Sequence, residues 1–309
     1  MSTYYLRNTT ERPHVVKSLL GTLLPLSLKR HVLYLKHYRR FGNFRSPRLF
    51  SEKLQWRIIN DRRENLRYTG DKRAASRVAA ERAARAGDSL RIPRQIAWGS
   101  SAGDFLTQLR AEHAAGRVPD RWVMKPNHSS GRALAVEGEP DWSVIEQAAH
   151  AWLRPSRFTG LQWIWPYVVA EPGLLAEEFV AVNATPFEWQ LWIFDGAIRY
   201  AVVQERASGG LRRCVFNSSW ETVDQWYNNL AEEVPIAVPP DNWERIARVA
   251  RALAEGLEMV RVDLFDDREG GIWFGELTPY PHEGLIATSE AGRAFDEQAG
   301  ALWRLPPNA

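Results

Sequence analysis

Asp263, in Val260-Arg-Val-Asp-Leu-Phe265, and Glu276, in Ile272-Trp-Phe-Gly-Glu-Leu-Thr278, stand in two runs that alternate in the manner of strands. The segment between them, Asp266 to Gly271, is rich in turn formers, so the pattern predicts a hairpin. A two-residue turn at Glu269-Gly270 sets Asp263 directly opposite Glu276. Sliding the turn to Gly270-Gly271 keeps both on one face, because side chains alternate with period two. Carboxylates about 5 Å apart on a mostly buried sheet stay ionised only beside a cation. A hard divalent ion fits, Mg²⁺ first and Mn²⁺ as the alternative. Neutralisation by Arg261, which shares the face, is the plainer explanation.

A second group of residues suggests phosphate binding. Arg outnumbers Lys heavily, and the six lysines are 17, 29, 36, 53, 72 and 125. A lysine kept where arginine is the default cation points to a need for a compact charge. Lys125 closes the strand that begins at Arg121 and is followed by Pro126-Asn-His-Ser-Ser-Gly131. An ammonium and several free backbone N–H groups at one point suit a nucleotide phosphate tail, with Ser129, Ser130 and Gly131 as the loop. An ordinary Ser-Gly turn is the alternative. Asp71-Lys72-Arg73 opens a helix and supplies a second cation. In Leu174-Leu-Ala-Glu-Glu-Phe-Val180 the two carboxylates cannot both face water if the apolar residues face a core. As the edge of an adenine slot, the backbone of Glu177, Glu178, Phe179 and Val180 would read the base, and Glu188 on the next strand would accept the ribose hydroxyls. Pairing of Glu178 with an arginine is the structural alternative.

The elements that must position these residues are readable from periodicity and caps. Helices are expected over Leu19–Tyr38 with a break at Pro25, Phe50–Asp61 with Ser51 as cap, Asp71–Ala86, Ala102–Ala115, Trp142–Leu153 and Trp243–Glu255. Strands are expected over Leu90–Ala97 at a sheet edge, Arg121–Lys125 and Leu174–Val182. A further hairpin joins Glu188–Phe194 to Ile198–Gln204 through Asp195-Gly196. The class is α+β with antiparallel pairs and helices laid against them.

Composition narrows the function classes. The content is 45% hydrophobic and 25% charged, ordinary for a globular chain. One cysteine, Cys214, and scattered histidines argue against zinc and suit a reducing, cytoplasmic compartment. The apolar stretch from Val15 to Leu28 is interrupted and too short to span a bilayer, and it lacks a clear cleavage site. Residues 1–50 hold three Lys and seven Arg against Glu11 alone. Such a basic end favours an anionic partner, whether a membrane surface, an acidic polymer or the acidic body of this protein or its twin, while no nucleic-acid reader motif accompanies it.

In chain order, Lys72, Lys125 with its loop, Glu177-Glu178, Glu188, Asp263 and Glu276 resemble the ATP-grasp superfamily. Phe50-Ser-Glu-Lys-Leu-Gln-Trp56, Gly70-Asp-Lys72, Val123-Met-Lys-Pro-Asn-His128, Arg261-Val-Asp-Leu-Phe265 and Phe274-Gly-Glu-Leu-Thr278 resemble the TupA-like branch, named for teichuronopeptide biosynthesis. The likeness runs from about Arg40 to Gly284.

The resemblance implies an ATP-grasp fold, two α+β lobes clasping ATP, behind a basic helical region at 1–60. The α/β part would fill 61–120, one lobe 121–180, and the metal-bearing lobe 181–309. It implies Lys72 and Lys125 on the phosphates and Mg²⁺ on Asp263 and Glu276. Thr278 stands where such enzymes commonly carry a metal-binding Asn, and Glu188-Trp-Gln190 stands where the branch usually has Asp-Tyr-Lys. The implied chemistry is phosphoryl transfer to a carboxylate donor, with an acidic donor favoured, followed by attack of an amine acceptor on the acyl phosphate. Arg261 and Arg206 are the expected cations for the transferring phosphoryl group, and His282 the expected proton acceptor beside Tyr280 and Glu283. Ser208-Gly-Gly210 would close over the site. The alternatives are a metal-dependent glycosyltransferase using Asp263 with Asp266-Asp267, and a non-catalytic nucleotide- or polyanion-binding protein.

Overall fold

The computed structural model describes residues 2–8, 24–154, 163–180, 187–207, 210–223, 232–233 and 242–306. Two sheets organise it. The first contains β1 (Ser2–Asn8), β2 (Gln95–Gly99), β3 (Arg121–Pro126), β4 (Arg132–Glu137) and β5 (Leu174–Glu178), in the order β1-β4-β3-β5-β2. The second contains β6 (Phe187–Phe194), β7 (Ala197–Ala207), β8 (Gly210–Asn217), β9 (Glu232–Glu233), β10 (Met259–Asp266) and β11 (Ile272–Thr278), in the order β11-β10-β6-β7-β8-β9. All pairings are antiparallel except β8 with β9.

The helices are α1 (Leu26–Tyr38), α2 (Phe50–Asn60), α3 (Glu64–Arg67), α4 (Lys72–Arg85), α5 (Ala102–Ala114), α6 (Trp142–Trp152), α7 (Trp165–Val169), α8 (Trp243–Leu253) and α9 (Glu290–Leu302). Alternation along each strand gives each sheet one apolar face, and helices cover it. On the first sheet Trp122, Met124, Leu134, Val136, Leu174 and Ala176 pack against Phe105 and Leu109 of α5 and Ile145 and Ala149 of α6. On the second, Leu191, Ile193, Val260, Val262, Leu264, Phe274 and Leu277 pack against Ala75, Ala79 and Ala83 of α4 and Ile246, Val249, Ala250 and Leu253 of α8. A fully buried side chain of this size contributes roughly 1.5–3 kcal/mol, so these two layers hold the sheets in place. On the opposite face of the second sheet, α2 and α9 cover one end with Phe50, Leu54, Ile58, Phe295 and Ala299 against Trp192, Phe194, Tyr200 and Val202. The other end of that face carries Asp263, Glu276 and Glu188.

Most expected elements form within a residue or two. The β6–β7 turn has positive φ at Asp195 (47°) and Gly196 (76°), the pair that a type I′ hairpin requires. Three readings change. Ser51 is not the cap of α2: the preceding Leu49 is, and the Ser51 N–H and hydroxyl both donate to Asp296, at 2.6 and 2.8 Å. The stretch read as a helical N-terminal region opens with strand β1, paired to β4. The sheets also cross the expected sequence boundaries, since β1 and β2 join the 121–180 strands while α4 packs on the second sheet. Strands β4 and β8 and helices α7 and α9 had no strong local signal.

Candidate functional site

The acidic pair forms as expected, by a different route. Asp266 pairs with Ile272, so the loop runs from Asp267 to Gly271, and the register shifts between Asp263 and Leu264 so that Asp263 faces Glu276 directly. The Asp267 carboxylate builds the loop, accepting from the N–H groups of Glu269 (2.9 Å) and Gly271 (2.7 Å), Trp273 Nε1 (2.9 Å) and Arg91 (2.9 Å). Asp266 accepts from Arg268 N–H (2.9 Å) and Asn242 (3.0 Å). Both acids are spent on structure, so the set Asp263 with Asp266-Asp267 does not assemble. The extra residue in the ladder is Gly275, skipped between the Asp263–Glu276 and Leu264–Phe274 pairs. Without this bulge, period-two alternation would turn Glu276 into the helix-covered core. Only glycine fits there, because a Cβ would lie 2.8 Å from the Asp263 carbonyl oxygen.

Asp263 is buried and held by Arg261, whose Nε and Nη2 donate to its two oxygens at 2.7 and 2.6 Å. Burial pushes the Asp263 carboxyl up to about 7; the Arg261 guanidinium pulls it down, and the charges of Glu276 and Glu188 push it up. The plainer expectation, an Arg261–Asp263 pair, is what forms. Thr278, opposite Arg261, is buried and its Oγ1 has no hydrogen-bond partner. Two facing carboxylates, a third acidic charge on the same face and an orphaned hydroxyl form an oxygen donor set suited to a hard cation. Among the described residues no group of three or more His, Cys, Asp or Glu side chains is close enough to hold an ion.

Lys125 lies on the face of the first sheet turned away from α5 and α6 and pairs with Glu177 on the neighbouring strand. Lys72 opens α4, where Asp71 caps the helix by accepting from Ala74 N–H at 2.9 Å. Asn127, fully buried, fixes α4 to the Ser-Gly loop: its side-chain oxygen accepts from Arg73 N–H (3.1 Å), its carbonyl from Lys72 N–H (3.4 Å), and its amide donates to Glu171 O (2.9 Å). The Lys72 ammonium then donates to the Ser129 carbonyl. Burial lowers Lys72 to about 8, with the Glu276 carboxylate raising it, Lys125 lowering it, and Glu177 and Asp71 raising it. The Lys72 ammonium is therefore within electrostatic reach of Lys125, Glu177 and Glu276.

Residues not singled out from sequence complete the site. Tyr167 of α7 hydrogen-bonds Ser130 and lies in the field of Glu276, Glu283 and Arg261; its hydroxyl is held above the ordinary tyrosine range, first by burial and then by Glu276. Gly70 admits α7, since a Cβ there would lie 2.2 Å from the Pro166 carbonyl. His128 accepts from Gly173 N–H at 3.4 Å and is lowered to about 4, by burial and then by Lys72 and Arg132. Gln204 and Arg213, both buried, pair across β7 and β8 in the row that includes Glu188. The sequence Lys125-Pro-Asn-His128 was a usable signal for Asn127 and His128. Tyr167 had none, because only tertiary packing brings α7 to the loop.

Other expected residues fall differently. Glu178 accepts from Arg94 N–H at 2.8 Å and sits 3.8 Å from its Nε, the structural alternative. The N–H groups of Glu178 and Phe179 donate to the carbonyls of Arg94 and Arg121 (3.1 and 3.2 Å), so neither is free to read a base; Val180 follows beyond the strand end. Glu188 accepts from Gln190 at 3.1 Å. His282 is exposed with φ of 50°, in the loop after β11, whereas Tyr280 is buried among α2 side chains. The backbone of Arg206 pairs with Leu211, and its side chain lies outside the described residues, as do Ser208 and Gly209.

The TupA-like ATPgrasp family model matches residues 52–304. The chain belongs to that family. This TupA-like ATPgrasp match extends past Gly284 to take in α9, and it leaves α1 and β1 outside. Its two antiparallel sheets with flanking helices are an ATP-grasp fold. No curated protein matches the chain. Similar solved structures include the ADP complex of N5-carboxyaminoimidazole ribonucleotide synthetase, at 14% identity over 74% of this chain and 48% of that one, TM-score 0.44. VanG D-Ala:D-Ser ligase from Enterococcus faecalis is 16% identical over 76% of this chain and 62% of that one, TM-score 0.43. D-alanine–D-alanine ligase from Bacillus anthracis, complexed with ATP, is 16% identical over 76% and 62%, TM-score 0.40. The chain spans less than two thirds of the length of each.

Proposed function

We propose that the protein is an ATP-dependent carboxylate–amine ligase that forms an amide or peptide bond and releases ADP and phosphate, in cell-surface polymer or secondary-metabolite biosynthesis. The observation that carries this reading is that Lys72 lies within electrostatic reach of Lys125, Glu177 and Glu276, with Asp263 directly opposite Glu276. Two ammonium groups and a polar loop beside a buried acidic pair suit a triphosphate between the sheets.

In this reading Lys72, Lys125 and the Ser129–Gly131 loop hold the phosphates, and Glu188 accepts from the ribose. Asp263 and Glu276, with the Thr278 hydroxyl, would hold Mg²⁺, which would neutralise phosphate charge during transfer. Arg261 exchanges the Asp263 carboxylate for a phosphoryl oxygen in the loaded site, and Arg206 stands as the second cation. The donor carboxylate attacks the γ-phosphorus and ADP leaves. The amine then attacks the acyl carbon, phosphate leaves, and the amine proton passes to a base, for which exposed His282 is the candidate. The enzyme's contribution is positioning and charge neutralisation.

The test is product analysis. Purified protein with ATP, Mg²⁺ and pooled amino acids should release ADP with a condensed product visible by mass spectrometry. Release of AMP alone, or no nucleotide turnover with any acceptor, would refute the ligase assignment.

A further inference from the structure

Among the described residues only five large apolar side chains are exposed, and four of them fall within residues 28–41: Leu28 (45%), Val32 (44%), Leu35 (37%) and Phe41 (73%). Leu28, Val32 and Leu35 recur at helical spacing, so they form one continuous stripe along α1. Exposed Lys36 and Arg39 fall on the same side of α1 by helical spacing, exposed Arg45 and Arg48 follow in the segment after it, and no Asp or Glu occurs between Arg12 and Ser51, although Glu52 pairs with Arg40 at 3.4 Å. A solvated basic face would account for the charge and leave the apolar stripe unexplained.

The stripe cannot turn inward, because buried polar contacts fix the other side of α1. Arg30, fully buried, donates to Gln55 Oε1 (2.6 Å) and the Glu283 carbonyl (2.7 Å); Tyr34 meets Ser51 (3.0 Å). His37 bonds the Ile286 carbonyl (2.6 Å), and the Tyr38 hydroxyl accepts from Ile286 N–H (3.0 Å). Thus the inner side of α1 grips the loop that follows β11, while its outer side pairs an apolar ridge with cations.

We propose that this outer face docks on an anionic lipid bilayer. An apolar ridge that enters the acyl boundary, flanked by cations at headgroup height, is the chemistry of an interfacial helix. No described helix is long and apolar enough to cross a membrane. Docking would bring the loop after β11, where the amine acceptor is expected, beside the headgroups.

Full-length protein is sedimented with vesicles of phosphatidylcholine alone or mixed with phosphatidylglycerol. Binding is expected only to the anionic vesicles, weakening with salt. The combined Leu28→Ser, Val32→Ser and Leu35→Ser variant should bind about tenfold more weakly with an unchanged melting temperature. Should it fail to fold, Phe41→Ser provides the same comparison. Equal binding by wild type and variants, or no binding to anionic vesicles, overturns the proposal. A wild-type dimer that the triple variant dissociates would assign the face to a second copy. Capture by soluble polyphosphate that the triple variant retains would assign it to a polyanion. Either result overturns the lipid assignment.

Discussion

Replacing Lys72 by Met should make the protein more stable at neutral pH while removing nucleotide binding. The ammonium is half-buried and lowered from 10.5 to about 8, with burial as the largest cause. Keeping it protonated in the fold at pH 7 therefore costs about 3 kcal/mol relative to the unfolded chain. Met removes that cost and also removes the bond to the Ser129 carbonyl, worth about 1 kcal/mol. The net gain is about 2 kcal/mol, or several degrees of melting temperature for a chain of this size. Between pH 8 and 10.5 the unfolded chain binds the proton and the folded one does not, so wild-type stability rises with pH across that window. The advantage of the variant should shrink and then reverse as the charge penalty disappears. Urea denaturation at pH 7 and pH 9.5, with calorimetric titration of ATP, reads all three effects. A Met variant that is less stable at pH 7, or that binds ATP as well as wild type, would show that Lys72 serves the fold rather than a phosphate.

Three further outcomes follow from the same geometry. Lys125→Ala should abolish ATP binding and, by leaving the Glu177 carboxylate (13% exposed) without its ion pair, cost about 1–3 kcal/mol in urea denaturation. Adding Glu177→Ala should restore the stability and not the binding. Gly275→Ala places a Cβ 2.8 Å from the Asp263 carbonyl oxygen and should cost about 1–3 kcal/mol by the same assay, with Mg²⁺-dependent ATP binding weakened alongside. His128, lowered to about 4, is neutral in the fold and gains a proton on unfolding below about pH 6.5. Stability should accordingly fall by about 2 kcal/mol between pH 7 and pH 5, a loss that His128→Gln lacks; an identical fall in both proteins would place the acid sensitivity elsewhere.

The sequence by itself determined the local facts. Alternation around a turn-rich segment named Asp263 and Glu276 as partners, Asp195-Gly196 specified its hairpin, and Asp71 marked the start of the helix that carries Lys72, because each depends on neighbours a few residues away. It also singled out Lys125 and its loop. Even there the backbone chose its own path: a five-residue loop built on Asp267, offset by the Gly275 bulge, reaches the pair that a two-residue turn would have reached. Only the tertiary structure decided what meets what across sheets. It brought Tyr167 to Ser130 and spent Glu178 on Arg94. It put Lys72 in the field of Glu276. Those encounters join residues far apart in the chain through packing of two helix-covered sheets, and periodicity carries no information about which elements will meet.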